Sequence, residues 1–196
     1  IIIIQELPGI GPETMRLADE FVEHGFEVIL PHLFGPLEKV SIGGNLVRVF
    51  CMRKEFSLFE ANGSSPIVDW LKALCHDVKA QSQTKGVGVI GMCLTGNFAI
   101  SLMADDSVLA AVSSQPSMPL LKPTQLHMSD EDITTIRQRI DNTAPIHAYR
   151  FAEDPMCTAE KYHAIENAFN DPDAARVITH TLPGKGHSVL TLDIVN

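Results

Sequence analysis

The feature that most limits the fold of this chain is an alternation. Six short apolar runs, "IIIIQE", "FEVILP", "VGVIGM", "VLAAVSSQ", "PIHAYRF" and "ARVITHTL", take turns with stretches of helical period. The runs are too uniformly apolar for strands with one wet face and suit strands buried on both sides. In "ETMRLADEFVEHG" the period places Met15, Ala18, Phe21 and Val22 on one helical face, with Gly25 as the stop. Ser65 caps a helix with Pro66 at its first position, and Ile67, Leu71, Leu74, Cys75 and Val78 share its face. Further helices are predicted over 95–104, over "SDEDITTIRQRI" behind the cap Ser129, and over "TAEKYHAIENAF". Residues 32–64 read as loops with a short helix near 53–60. Such a chain folds as an α/β protein, a mostly parallel sheet flanked by helices on both faces. No linker or repeat divides it, so residues 1–196 are read as a single domain.

That architecture collects functional groups outside the carboxyl ends of its strands. The first run ends at Gln5-Glu6 and "VGVIGM" leads into Cys93. "PIHAYRF" runs into Glu153-Asp154, and "ARVITHTL" into a loop holding His187. A thiol, an acid and a histidine therefore fall on one rim. Their order, Cys…Asp…His, is that of the α/β-hydrolase triad, and "GMCLTG" fits its G-x-S-x-G elbow with Cys in place of Ser. Gly91 and Gly96 permit a sharp turn with close backbone approach. The turn sets the sulfur at a helix N-terminus, where amides and dipole favour a thiolate. His187 would move the proton and Asp154 would fix its tautomer. The N–H of Leu94, next after the nucleophile, is an expected oxyanion donor. Plainer readings exist: Cys93 as a small core hydrophobe, Glu153 rather than Asp154 as the acid, Glu6 as a solvated strand-end acid.

Composition narrows the partners. A net charge of −9 argues against nucleic acid or an anionic membrane. No apolar run approaches the roughly 18 residues of a membrane span. Four cysteines without a C-x-x-C, and histidines without ligand spacing, point to free thiols in the cytoplasm and no metal site. The chain begins inside a buried strand and stops at "TLDIVN", so both natural termini are expected to lie beyond it.

The chain resembles the dienelactone hydrolases, α/β-hydrolases with a cysteine nucleophile. The likeness rests on "QELPGIGPETMRLADEFVEHGFEVILPHLFG", "GVGVIGMCLTGNFAI", "FAEDP" and "PGKGHSVL". It implies an α/β-hydrolase fold lacking the N-terminal strand pair and the C-terminal helix. It implies Cys93 as nucleophile, Asp154 as acid, His187 as base, and Glu6 as a second carboxylate that helps ionise the thiol when substrate arrives. It adds the N–H of Leu7 as second oxyanion donor and Arg53 as a substrate contact. "HSVLT" lacks the arginine that the family carries shortly after its histidine, so the substrate need not be a dienelactone. The expected activity is cleavage of a small ester, lactone or activated acyl bond without cofactor or metal, by a monomer or homodimer. The rival is a binding or thiol-redox protein on the same scaffold.

Overall fold

A computed structural model describes residues 1–57, 65–119, 122 and 124–194. Five strands form one sheet in sequential order, every neighbouring pair parallel. They are β1 (Ile2–Ile4), β2 (Val87–Met92), β3 (Val108–Ser114), β4 (Ile146–Phe151) and β5 (Val177–Leu182). The helices are α1 (Pro12–Glu23), α2 (Ile42–Cys51), α3 (Pro66–Ser82), α4 (Gly96–Leu102), α5 (Asp130–Ile140) and α6 (Ala159–Phe169).

The two-residue period of the strands divides the core. Ile2, Ile4, Val87 and Val89 pack with α3, α4, α5 and α6 on one face, whereas Ile3, Ile90 and Met92 pack with Leu17 and Ala18 of α1 on the other. Helices thus cover both faces, as the alternation requires. Ser65 caps α3, accepting from the N–H of Val68 at 3.3 Å. Ser129 and Asp132 cap α5 reciprocally, each side chain accepting from the other's backbone N–H. Among the described residues no helix is long and apolar enough to cross a membrane.

Three local expectations are corrected. The helix between residues 32 and 64 spans 42–51 rather than 53–60; residues 52–57 are turns, and 58–60 lie outside the described residues. Gly43 and Gly44 in its first turn disguise it, since glycine disfavours helix, but the Ser41 side chain caps it. The "FEVILP" run contributes a single bridge, Ile29 to Ile2. Its ladder stops early because Pro31 has no N–H to donate. The buried face of α1 carries Thr14, Leu17 and Ala18, while Met15 and Val22 are 38% and 54% exposed.

Candidate active site

The geometry begins with one backbone turn. Cys93 directly follows β2 and adopts φ +57°, a left-handed conformation that a non-glycine residue takes only where its surroundings impose it. The turn Cys93–Thr95 leads straight into α4. A Cβ on Gly91 would stand 2.2 Å from the Thr95 carbonyl oxygen, and one on Gly96 2.8 Å from Cα of Pro116. Both glycines are therefore required by close approach. Thr95, which sequence reasoning missed, pins the turn: its buried hydroxyl lies 2.9–3.2 Å from the carbonyls of Met92, Ile4 and Gln5 and accepts from the Met92 N–H.

His187 stands in the loop after β5, and its Nδ1 is 2.7 Å from Oδ2 of Asp154. The other oxygen of Asp154 accepts from the N–H groups of Met156 (2.8 Å) and Cys157 (3.1 Å). These bonds fix the ring: an acceptor-only carboxylate at Nδ1 holds a proton there, so proton exchange with the thiol falls to Nε2. Nε2 is buried and makes no hydrogen bond of good geometry among the described residues. Burial opposes charge on the imidazole, but the hydrogen bond it donates to Asp154 and the neighbouring Cys93 sulfur outweigh it, raising its pKa from 6.5 to about 10. Burial likewise acts against the Asp154 carboxylate, and its bonds from His187, Cys157 and Met156 overcome it and hold its pKa below the usual carboxylate value. Glu153 is exposed, with its carboxylate 3.9 Å from Lys185 Nζ, whereas Asp154 meets the histidine.

Cys93 is 5% exposed, and its Sγ lies 3.5 Å from Oγ of Ser117, whose N–H donates to the Cys93 carbonyl. Leu94 is buried in the turn after the thiol, and Leu7 sits in the turn after β1. Neither N–H is used by the loop and cap hydrogen bonds among the described residues.

Glu6 is 2% exposed, and both its oxygens are occupied. Oε2 accepts from Ser188 Oγ (2.8 Å) and Gln115 Nε2 (3.2 Å), and Oε1 accepts from the Thr191 hydroxyl. The carboxylate is thus bonded to the histidine loop rather than to the thiol. Thr191 stands in the "HSVLT" stretch that lacks arginine, and a neutral hydroxyl meets Glu6 there. Arg53 lies exposed after α2, with Nη1 3.4 Å from the Phe50 carbonyl oxygen, and among the described residues no hydrogen bond or ion pair joins it to this cluster. Ser117, Gln115, Ser188 and Thr191 had no motif to announce them.

Among the described residues one group of side chains could offer three ligand atoms to a metal, His76, Asp105 and Asp106. It lies before β3, at the opposite end of the sheet from Cys93. Ser107 and Lys79 already engage its carboxylates, and it carries no argument about the site.

A parallel sheet with a left-handed cysteine at a strand–helix turn and an acid-bound histidine on the same rim defines an α/β-hydrolase. Residues 1–192 match the sequence model of the dienelactone hydrolase family, and the chain belongs to that family. Among solved structures it is similar to a protein of Klebsiella pneumoniae assigned as a dienelactone hydrolase, at 15% identity and TM-score 0.61, covering 96% of this chain and 75% of that one. It is equally similar to a dienelactone hydrolase-like promiscuous phosphotriesterase from metagenomic libraries (15%, TM-score 0.61, covering 95% and 70%). A third is an α/β serine hydrolase homologue from Coxiella burnetii (16%, TM-score 0.56, covering 96% and 76%). No curated protein matches the chain.

Proposed function

We propose that this protein is a hydrolase of carboxylic esters or lactones that works through a Cys93–His187–Asp154 triad. The observation that carries the reading is the left-handed Cys93 on the same rim as an imidazole whose Nδ1 is bound by Asp154. Cys93 passes its proton to Nε2 of His187, and the sulfur bonds to the acyl carbon. The oxygen that becomes anionic is held by the N–H groups of Leu94 and Leu7. The tetrahedral species collapses, the alcohol leaves with the proton from His187, and an acyl-thioester remains. Water, deprotonated by His187, then attacks the acyl carbon, releasing the acid and restoring the thiol. Each oxyanion donor is worth about 3–4 kcal/mol of barrier.

Glu6 enters this reading as a second carboxylate at the rim. Among the described residues Oε1 accepts from one hydroxyl, which leaves it a second lone pair to take up a thiol proton. A neutral acyl group needs no cation at the site, and Arg53 is a substrate contact only for a substrate that reaches the exposed turn after α2. The four free cysteines suit a cytoplasmic enzyme. The test is a panel of small p-nitrophenyl esters and simple lactones, with wild-type protein and Cys93→Ala. Turnover that disappears in the variant supports the reading. Turnover that survives, or none in either protein, overturns it.

A further inference from the structure

Gln115 directly follows β3, is fully buried, and holds φ +34°, a conformation costly for a side-chain-bearing residue. Burying an amide is also costly unless all its groups are satisfied. Something at this position returns that cost. The side-chain Nε2 donates to Glu6, and Oε1 accepts from the Val189 N–H at 3.3 Å and from the Ser114 hydroxyl. The partners fix which way the amide faces: an ionised carboxylate only accepts and a backbone N–H only donates. Flipping the amide would set like groups against each other on both sides.

These bonds join three strand ends. Gln115 lies just past β3, Glu6 just past β1, and Val189 belongs to the loop after β5. Glu6 also accepts from Ser188 and Thr191 of that loop. The segment 187–191 forms no helix or strand. It is held by Asp193, which accepts from the N–H groups of His187 and Ser188, by the bond of His187 to Asp154, and by the Glu6–Gln115 pair.

We propose that Gln115 is a positioning residue: its amide locks Glu6 and the backbone of the histidine loop into one buried clamp, and so sets where His187 stands relative to Cys93 and Asp154. The proposal rests on the triad reading for its link to turnover, but the placement of His187 can be measured without substrate. A positioning error of an ångström can cost about 10² in rate, so such a residue leaves a kinetic trace although it touches no reacting atom.

Gln115→Met keeps the length and removes all three hydrogen bonds of the amide. The expected result is a folded protein whose kcat on p-nitrophenyl acetate falls about tenfold or more, with KM within about twofold. Its His187 titration midpoint, followed by NMR of the ring and assigned with His187→Gln, moves by about half a pH unit or more, because the contacts with Asp154 and Cys93 change. A melting temperature that falls while kcat and the midpoint stay at wild-type values reduces Gln115 to packing and overturns the proposal.

Gln115→Glu covers the case in which the methionine variant does not fold. While protonated, the new carboxyl can donate to Glu6 and accept from Val189 as the amide does; once ionised it repels Glu6. The ratio of its kcat/KM to that of wild type should be near one at low pH and fall steadily as pH rises. A ratio independent of pH overturns the clamp. If wild-type protein hydrolyses no ester, the triad reading fails, and the His187 midpoint in the Gln115 variants still decides this proposal.

Discussion

Asp154→Asn tests the proposed triad through a single atom. In the native site Oδ2 accepts from His187 Nδ1 at 2.7 Å, and Oδ1 accepts two backbone N–H groups at 2.8 and 3.1 Å. Asparagine has one oxygen for those two places. The two N–H donors can be satisfied only by that oxygen, so the amide NH₂ must face the imidazole. Nδ1 then has to accept, and the ring proton moves to Nε2, where it points toward the thiol. The base is present but already carries its proton. In serine hydrolases with this arrangement the equivalent exchange lowers kcat about 10⁴-fold. Here a loss of about 10³–10⁴ is expected, or about 4–5.5 kcal/mol of barrier. Stability should fall by only about 1–3 kcal/mol, the cost of one altered hydrogen bond to a charged group. The assay is kcat on a p-nitrophenyl ester, normalised to the amount of folded protein, with Glu153→Gln as control. Asp154→Asn turnover within tenfold of wild type in a folded protein, or an equal loss in Glu153→Gln, refutes the reasoning.

Cys93→Ser should fold normally and lose at least about 10² in turnover, about 2.7 kcal/mol, because a hydroxyl is far less acidic than the thiol this site is built around; kinetics on purified protein check it. Gly91→Ala places a methyl 2.2 Å from a backbone oxygen and should destabilise by about 1–3 kcal/mol, read as a lower urea midpoint. The histidine–acid pair also makes a pH signature. Asp154 has a lowered pKa, so its contribution to stability is present above the ordinary 3.8 and is lost as pH falls through the folded value. His187 has a raised pKa, so its contribution is full below 6.5 and fades as pH climbs from 6.5 to about 10. Urea midpoints from pH 5 to 10 should decline on the alkaline side in wild type and decline less in Asp154→Asn; parallel curves would contradict the assignment.

The sheet was legible because strand runs buried on both faces leave a strong signal, and Ser65 before Pro66 and the cap Ser129 mark helix starts by chemistry alone. The pairing of Asp154 with His187, on the rim where Cys93 ends its strand, was legible because parallel strands send all their carboxyl ends to one rim. Other features depended on tertiary neighbours. The face of α1 was misread because Thr14 is polar yet buried and Met15 is apolar yet exposed, which periodicity cannot foresee. The helix at 42–51 was hidden by two glycines whose low propensity its cap overcomes. The clamp around Glu6 escaped because Gln115, Ser188 and Thr191 are ordinary polar residues, far from Glu6 in sequence, that acquire meaning only where three strand ends meet.

The central claim is that sulfur 93 carries the acyl group. Wild-type protein mixed with a p-nitrophenyl ester and quenched in acid within the first turnovers, then digested and weighed, tests this most directly. A mass increase equal to the acyl group is expected on the peptide containing Cys93, seen also in His187→Ala only at much lower yield and absent from Cys93→Ala. Acyl label on Ser117, or ester turnover with no label on Cys93 under conditions where product release is slow, would contradict it.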